Sequence, residues 1–150
     1  MDYLGLGEDD AYDDYDDHAE DIINHDEASF DSWIGNAILI DNGMDQIISL
    51  LQRKKSSYLS ASNSDDTDAS LLESTILSFV ATTANQLEFL RKTISTVKNH
   101  DYVQHCSGIV ACLLLTLRHD IAEPFGTMQK LRSRAALTLY QCPLQCRILL

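Results

Sequence analysis

The first 31 residues contain neither lysine nor arginine, yet they hold 13 of the chain's 23 aspartates and glutamates. The other 119 residues carry 10 acidic and 11 basic side chains, a formal +1, so the opening segment alone sets the net charge of −12. No basic stripe runs along the sequence. Binding to a phosphate backbone depends mainly on Lys and Arg, so nucleic acid is disfavoured and not expected as a partner. A long apolar run is missing too. The longest, Gly108 to Leu117, is ten residues, whereas a membrane-spanning helix needs about 20; direct membrane insertion by this chain is not expected. The N-terminus lacks the positive region and apolar core of an export signal, and four cysteines in such a chain point to a reducing, cytoplasmic setting with free thiols.

What is present divides into three stretches. Residues 1–31 are rich in Asp with scattered aromatics, and their self-repulsion outweighs the little apolar surface they can bury, so a disordered acidic tail is expected. It serves either as a solubilising extension or as an interaction tail for a basic partner. Residues 32–136 carry helical periodicity. Residues 137–150 contain a second proline and no clear period, and are left unassigned.

The first predicted helix spans 32–59, with Phe30, Trp33, Ala37, Ile40, Met44, Ile47, Leu51 and Tyr58 in steps of three and four, Lys54 as the polar intruder, and Ile34, Ile38, Ile48 and Leu50 widening the stripe. Ser60 to Ala69 reads as a linker. Ser70-Leu71-Leu72-Glu73 matches a capping box and predicts a second helix over 71–98, with Leu72, Ile76, Phe79, Thr83, Leu87, Leu90, Ile94 and Val97 on one face. After a turn at Asn99 to Asp101, where Asp101 and Gln104 offer a weaker box, the third helix places Val103, Cys106, Val110, Leu113, Leu117 and Ile121 together. Ile109, Leu114 and Leu115 extend that face. Pro124 predicts a kink or stop near Ala122, with helical spacing resuming through Phe125, Met128, Leu131 and Ala135. Three amphipathic helices with short connections imply an all-α, antiparallel up-down-up three-helix bundle.

Little in this pattern carries catalysis. Cys106, Cys112, Cys142 and Cys146, near His105 and His119, offer four zinc ligands by type. However, Cys106 and Cys112 lie six residues apart on one helix and so point to different sides, and Cys106 falls on the apolar face as a small hydrophobe. There is no Gly-x-Ser-x-Gly elbow, phosphate-cradling glycine loop or His-Glu-x-x-His, and the acidic run lacks calcium-loop register. The expectation is a protein-binding chain without catalytic, cofactor or metal residues.

One set of positions goes further. Trp33, Ala37, Leu50, Leu51, Lys54, Lys55 and Tyr58 form the pattern W-x3-A-x12-L-L-x2-K-K-x2-Y. It resembles the first helix of the endoplasmic-reticulum syntaxins, the syntaxin 18 family. Phe79, Leu87 and Leu90 are similar to that family's second helix, and His105, Gly108, Val110, Leu113, Leu117, Ala122 and Phe125, followed by Arg132, to its third. The resemblance covers about residues 33–134. It implies a Q-SNARE regulatory bundle at the cytosolic face of endoplasmic reticulum or Golgi membranes, acting in vesicle-mediated transport and fusion. The implied partners are other SNAREs, a Sec1/Munc18-type protein and tethering factors. The chain departs from the family at Met1-Asp2-Tyr3-Leu4, where members carry an Asp-Arg-Thr type peptide for the Sec1/Munc18 partner. A SNARE heptad helix and membrane anchor do not follow the bundle before Leu150, so a shortened product is one expectation. The alternative is an acidic-tailed helical adaptor unrelated to SNAREs.

Overall fold

The computed structural model describes the backbone of residues 17–60 and 66–148, and the side chains of residues 30–60 and 66–138. All regular secondary structure among these residues is helical. The α-helices are α1 (Asp17–Leu59), α2 (Asp66–Thr93), α3 (His100–Thr116) and α4 (Glu123–Ile148). A 3-10 turn (Ile94–Thr96) follows α2, and a π-helical segment (Leu117–Ala122) joins α3 to α4 without a break.

The helices assemble into a bundle, α1 packing on α2, α3, the π segment and α4, and α2 on α3. Specific contacts show which parts meet. The Trp33 indole N–H donates to the Leu90 carbonyl at 3.2 Å, and the Phe30 ring stacks on Tyr102 with centroids 4.3 Å apart. At the other end of α1, Tyr58 donates to Glu73 on α2 and its ring packs 6.1 Å from that of Phe125 on α4. Between these ends lies one core, with Met44, Ile76, Leu87, Cys106 and Ile121 all at 0 % exposure. Burying an aliphatic side chain of this size contributes about 1.5–3 kcal/mol, which is what holds helices of modest amphipathicity together.

Element boundaries differ from the sequence expectation in instructive ways. Helix begins at Asp17, not at 32. No Gly or Pro occurs between Asp17 and Asp31, and a helix once nucleated extends at one hydrogen bond per residue fixed. The expected disorder of residues 1–16 lies outside the described residues, as does any side-chain role for residues 139–150. The expected linker is shorter than Ser60 to Ala69, because α2 starts at Asp66. Ser70 and Glu73 are therefore interior to the helix, and Glu73 serves Tyr58 rather than a cap. At the far end, α2 gives way to the 3-10 turn at Ile94 rather than running to 98. The cap of α3 is Asn99, whose side chain accepts from the Asp101 N–H at 3.0 Å, in place of the Asp101–Gln104 box. The backbone of the unassigned C-terminal stretch is helical to Ile148.

Pro124 neither stops nor breaks the third rod. Buried positions there are Cys106, Val110, Leu113, Leu117, Ile121, Phe125 and Met128, with three consecutive steps of four from Leu113 to Phe125. Each step of four overshoots an α-helical turn by about 40°, so three in succession would rotate the face out of the core. The π segment has wider turns, in which the Glu123 N–H donates to the Arg118 carbonyl five residues back. Widening keeps Ile121 and Phe125 inward and relieves the proline ring's clash with the preceding turn.

This register yields an asymmetric pair of outcomes. Ile121→Ala should cost about 2–5 kcal/mol of unfolding free energy, whereas Leu115→Ala, at a position 55 % exposed, should stay within about 0.5 kcal/mol. Urea titration followed by circular dichroism measures both.

Candidate functional site

Tyr58, near the C-terminal end of α1, gathers residues from three segments. Its side chain is 3 % exposed, so the phenol needs a buried partner, and it donates to Glu73 Oε1 at 2.5 Å. Arg132 of α4 lies over the same ring, Cζ 4.9 Å from the centroid. It donates through Nη1 to the Tyr58 carbonyl at 2.7 Å and through Nη2 to Asp66 Oδ1 at 3.2 Å. The carbonyl belongs to the last turn of α1, whose C=O groups have no intrahelical donor, so Arg132 satisfies one of them from outside the helix. Burial, then the Glu73 hydrogen bond and its negative charge, push the Tyr58 phenol well above its ordinary value of 10.0, against a smaller opposing pull from Arg132.

Two open grooves flank α1. Between α1 and α3, Ile34, Ala37, Ile38, Gly108 and Ile109 line an apolar space of ≈ 560 Å³, with Asp41 and His105 among the polar groups around it. A Cβ on Gly108 would meet nothing within 4 Å, so the glycine leaves the groove open instead of serving close packing. Between α1 and α2, Leu39, Gly43, Phe79 and Phe89 line a second space of ≈ 720 Å³ whose polar lining is Asn, Gln and Thr without any charge. Leu39 is 70 % and Phe89 64 % exposed.

The positions singled out by resemblance separate into three groups. Trp33, Ala37, Leu51, Tyr58, Leu87, Leu90, Val110, Leu113, Leu117 and Phe125 are buried in the common core. Phe79 is half-buried, its ring edge 3.5 Å from where a Cβ on Gly43 would stand. Lys54, Lys55, His105 and Gly108 are exposed. Glu73 and Asp66 are the partners of Tyr58 and Arg132 that spacing alone missed. Glu73 matched a capping pattern, and Asp66 fell in an expected linker, so neither advertised a partner far along the chain.

Cys106 is buried and Cys112 exposed, and burial raises the Cys106 thiol above its ordinary range. Cys142 and Cys146 lie outside the described side chains. Among the described residues, no group of three His, Cys, Asp or Glu is placed to hold a metal ion. His119 Nδ1 and Arg118 Nε lie 2.9 Å from the two Glu123 oxygens, and these contacts, that with His119 first, lower the Glu123 carboxyl on an open surface. What the described arrangement offers is apolar groove surface on both flanks of α1.

Tyr58→Phe removes a hydrogen bond to a carboxylate and should cost about 1.5–3 kcal/mol. A phenol whose folded pKa lies above the unfolded value gives stability that is complete below pH 10.0 and declines as the unfolded chain ionises above it. Urea titrations from pH 8 to 11 should therefore show an alkaline decline in the wild type that is shallower in Tyr58→Phe.

Comparison with protein-family models, curated proteins and solved structures gives no match to this chain.

Proposed function

We propose that the chain is a syntaxin-like regulatory domain of the endoplasmic-reticulum type, an up-down-up three-helix bundle that acts by binding proteins in Golgi–endoplasmic reticulum traffic. It has no catalytic role in this reading. The observation that carries it is the meeting of Tyr58 and Arg132. These two polar positions, 74 residues apart and selected for their likeness to the first and third helices of one family, lie in direct contact. The apolar positions selected on the same ground lie in the core, though any helical bundle would bury many of them. The up-down-up order is supported by Trp33 beside Leu90, Tyr58 beside Glu73, and Phe30 beside Tyr102. A cytosolic position at endoplasmic reticulum or Golgi membranes agrees with the described helices, none of which is long and apolar enough to cross a membrane.

In this reading the α1/α3 groove receives a helix of another SNARE or of a tethering factor, with the apolar floor giving affinity and Asp41 and His105 fixing orientation. A Sec1/Munc18-type protein is a further partner. The second reading, an acidic-tailed adaptor, rests on the concentration of 13 carboxylates in residues 1–31.

Gly108→Leu separates groove binding from folding. The added side chain enters open space on a helix, so circular dichroism and thermal stability should be unchanged or slightly improved. Affinity purification from cells should lose SNARE and tethering proteins. If instead the purified set contains no trafficking protein, the syntaxin-like reading fails. If deletion of residues 1–16 abolishes a salt-sensitive basic partner while Gly108→Leu has no effect, the adaptor reading takes its place.

A further inference from the structure

The chain's charges are segregated along the length of α1. Residues 17–31 of α1 carry Asp17, Glu20, Asp21, Asp26, Glu27 and Asp31, and no cation. The opposite end of the same helix carries Arg53, Lys54 and Lys55. α4 adds Lys130, Arg132 and Arg134 to that end, since Arg132 and Lys54 line one cavity and Leu131 and Lys55 another. Six of the chain's 11 cations are thus gathered there, with Asp68 and Asp120 lining the same two cavities. Asp66 answers Arg132. Among the described residues, the other five have no carboxylate within ion-pair distance.

The acidic segment cannot answer its own basic end. Within a helix rising about 1.5 Å per residue, Asp31 stands about 33 Å from Arg53 and Asp17 about 54 Å away. The sixteen residues before Asp17 span at most about 55 Å when fully extended, so only the first of them could arrive. A second copy has no such restriction. Turned end for end, it brings each acidic segment to the other's basic end, and both contacts form at once.

The middle of such a pairing is set by arithmetic. Opposing the centre of the acidic segment, near residue 24, with the basic triplet centred on residue 54 puts residue 39 on the two-fold axis. Leu39 is the most exposed large hydrophobic side chain among the described residues, at 70 %. It stands at the edge of the α1/α2 groove, whose lining carries no charge. Gly35 and Gly43 flank it, each four residues away; a Cβ on Gly35 would meet nothing within 4 Å, whereas the bare backbone of Gly43 is covered by the Phe79 ring of its own chain. Phe89, 64 % exposed on the same groove, supplies the apolar wall that Leu39 of the second copy would meet.

We propose that the chain forms a reciprocal antiparallel homodimer through α1, with Leu39 of each copy in the α1/α2 groove of the other and the acidic segment of each against the other's basic end. The interface is isologous and closes at two copies. Salt weakens the end contacts, because the screening length falls from about 10 Å at 0.1 M to about 3 Å at 1 M.

Sedimentation equilibrium of the full chain should give twice the monomer mass at 0.1 M salt and a shift toward monomer at 1 M. Leu39→Lys should give monomer at both, with unchanged circular dichroism. Two charge variants make the test specific. Arg53→Glu/Lys54→Glu/Lys55→Glu reverses the charge of the basic triplet of α1, and Asp17→Lys/Asp21→Lys/Asp26→Lys cancels the charge of residues 17–31, three lysines standing against Glu20, Glu27 and Asp31. Each alone should be monomeric, and a mixture should form a 1:1 heterodimer. Leu39→Cys with Cys112, Cys142 and Cys146 replaced by Ser should form a disulfide-linked dimer under mild oxidation, whereas Ser49→Cys in the same background should not. A wild-type chain that stays monomeric at 0.1 M salt at its highest soluble concentration overturns the proposal. So does failure of the mixed charge variants to associate.

Discussion

Tyr58 is buried but carries a hydroxyl that water can no longer serve, and the packing around it follows from that requirement. Glu73 must lie beside it, which fixes where the second turn of α2 sits against the last turns of α1. The carbonyl of the same residue needs a donor from outside α1, and Arg132 supplies it while its guanidinium covers the ring. Phe125, nearly two turns before Arg132 on α4, closes the remaining face. Three segments distant in sequence are thereby registered against one side chain. An unpaired buried hydroxyl would cost about 1–3 kcal/mol, so sliding any one helix by a turn is penalised by lost hydrogen bonds as well as by lost apolar contact.

That registration puts a demand on the third rod. Phe125 and Arg132 must reach Tyr58 while Cys106 and Val110 remain in the lower core, and a regular α-helix through Leu113, Leu117, Ile121 and Phe125 would drift off the face. The π segment absorbs the drift, and Pro124 is compatible with it because the wider turn moves the preceding carbonyl away from the ring. The proline thus falls where the geometry has already departed from an α-helix. The exposed Arg118–Glu123 and His119–Glu123 contacts straddle the same place. They lie in open solvent and so contribute little to holding it, and the widened turn rests mainly on Ile121 at 0 % exposure.

The sequence made the helices and their inward faces readable because burial on a helix recurs with a fixed period. Trp33, Ala37, Ile40, Met44, Leu51 and Tyr58 are buried as the spacing predicts, and so are Leu72, Ile76, Thr83, Leu87, Leu90, Ile94 and Val97. The width of each face was less legible. Ile38, Leu114 and Leu115 were read as extensions of buried stripes and are exposed by 54 %, 43 % and 55 %. Periodicity records which way a residue points, while exposure depends on how far the neighbouring helix reaches around, and that distance is a property of the assembly. Caps and starts failed for a related reason. Ser70 and Glu73 have the right chemistry for a helix start, yet the same carboxylate gains more from a buried phenol. Asn99, two residues before the expected cap, had the better position to receive the Asp101 N–H.

Three packed helices cannot cover stripes much broader than the contact each neighbour provides. The residues at the margins, Ile38 and Leu39 on α1, Phe89 on α2, and Leu114 and Leu115 on α3, therefore remain as apolar surface around open grooves. A chain whose only task was to fold would lose little by making these positions polar, since none contributes a fully buried side chain to the core. Polar substitutions there would leave the core stripes intact and remove the surface that a further polypeptide could bury. The charge distribution has the same character. The acidic start of α1 and the basic end formed by α1 and α4 lie too far apart to neutralise each other within one copy, so their complementarity has no use in stabilising the monomer. Both features would serve contacts between chains better than contacts within one, and that is the physical ground for the proposed binding role.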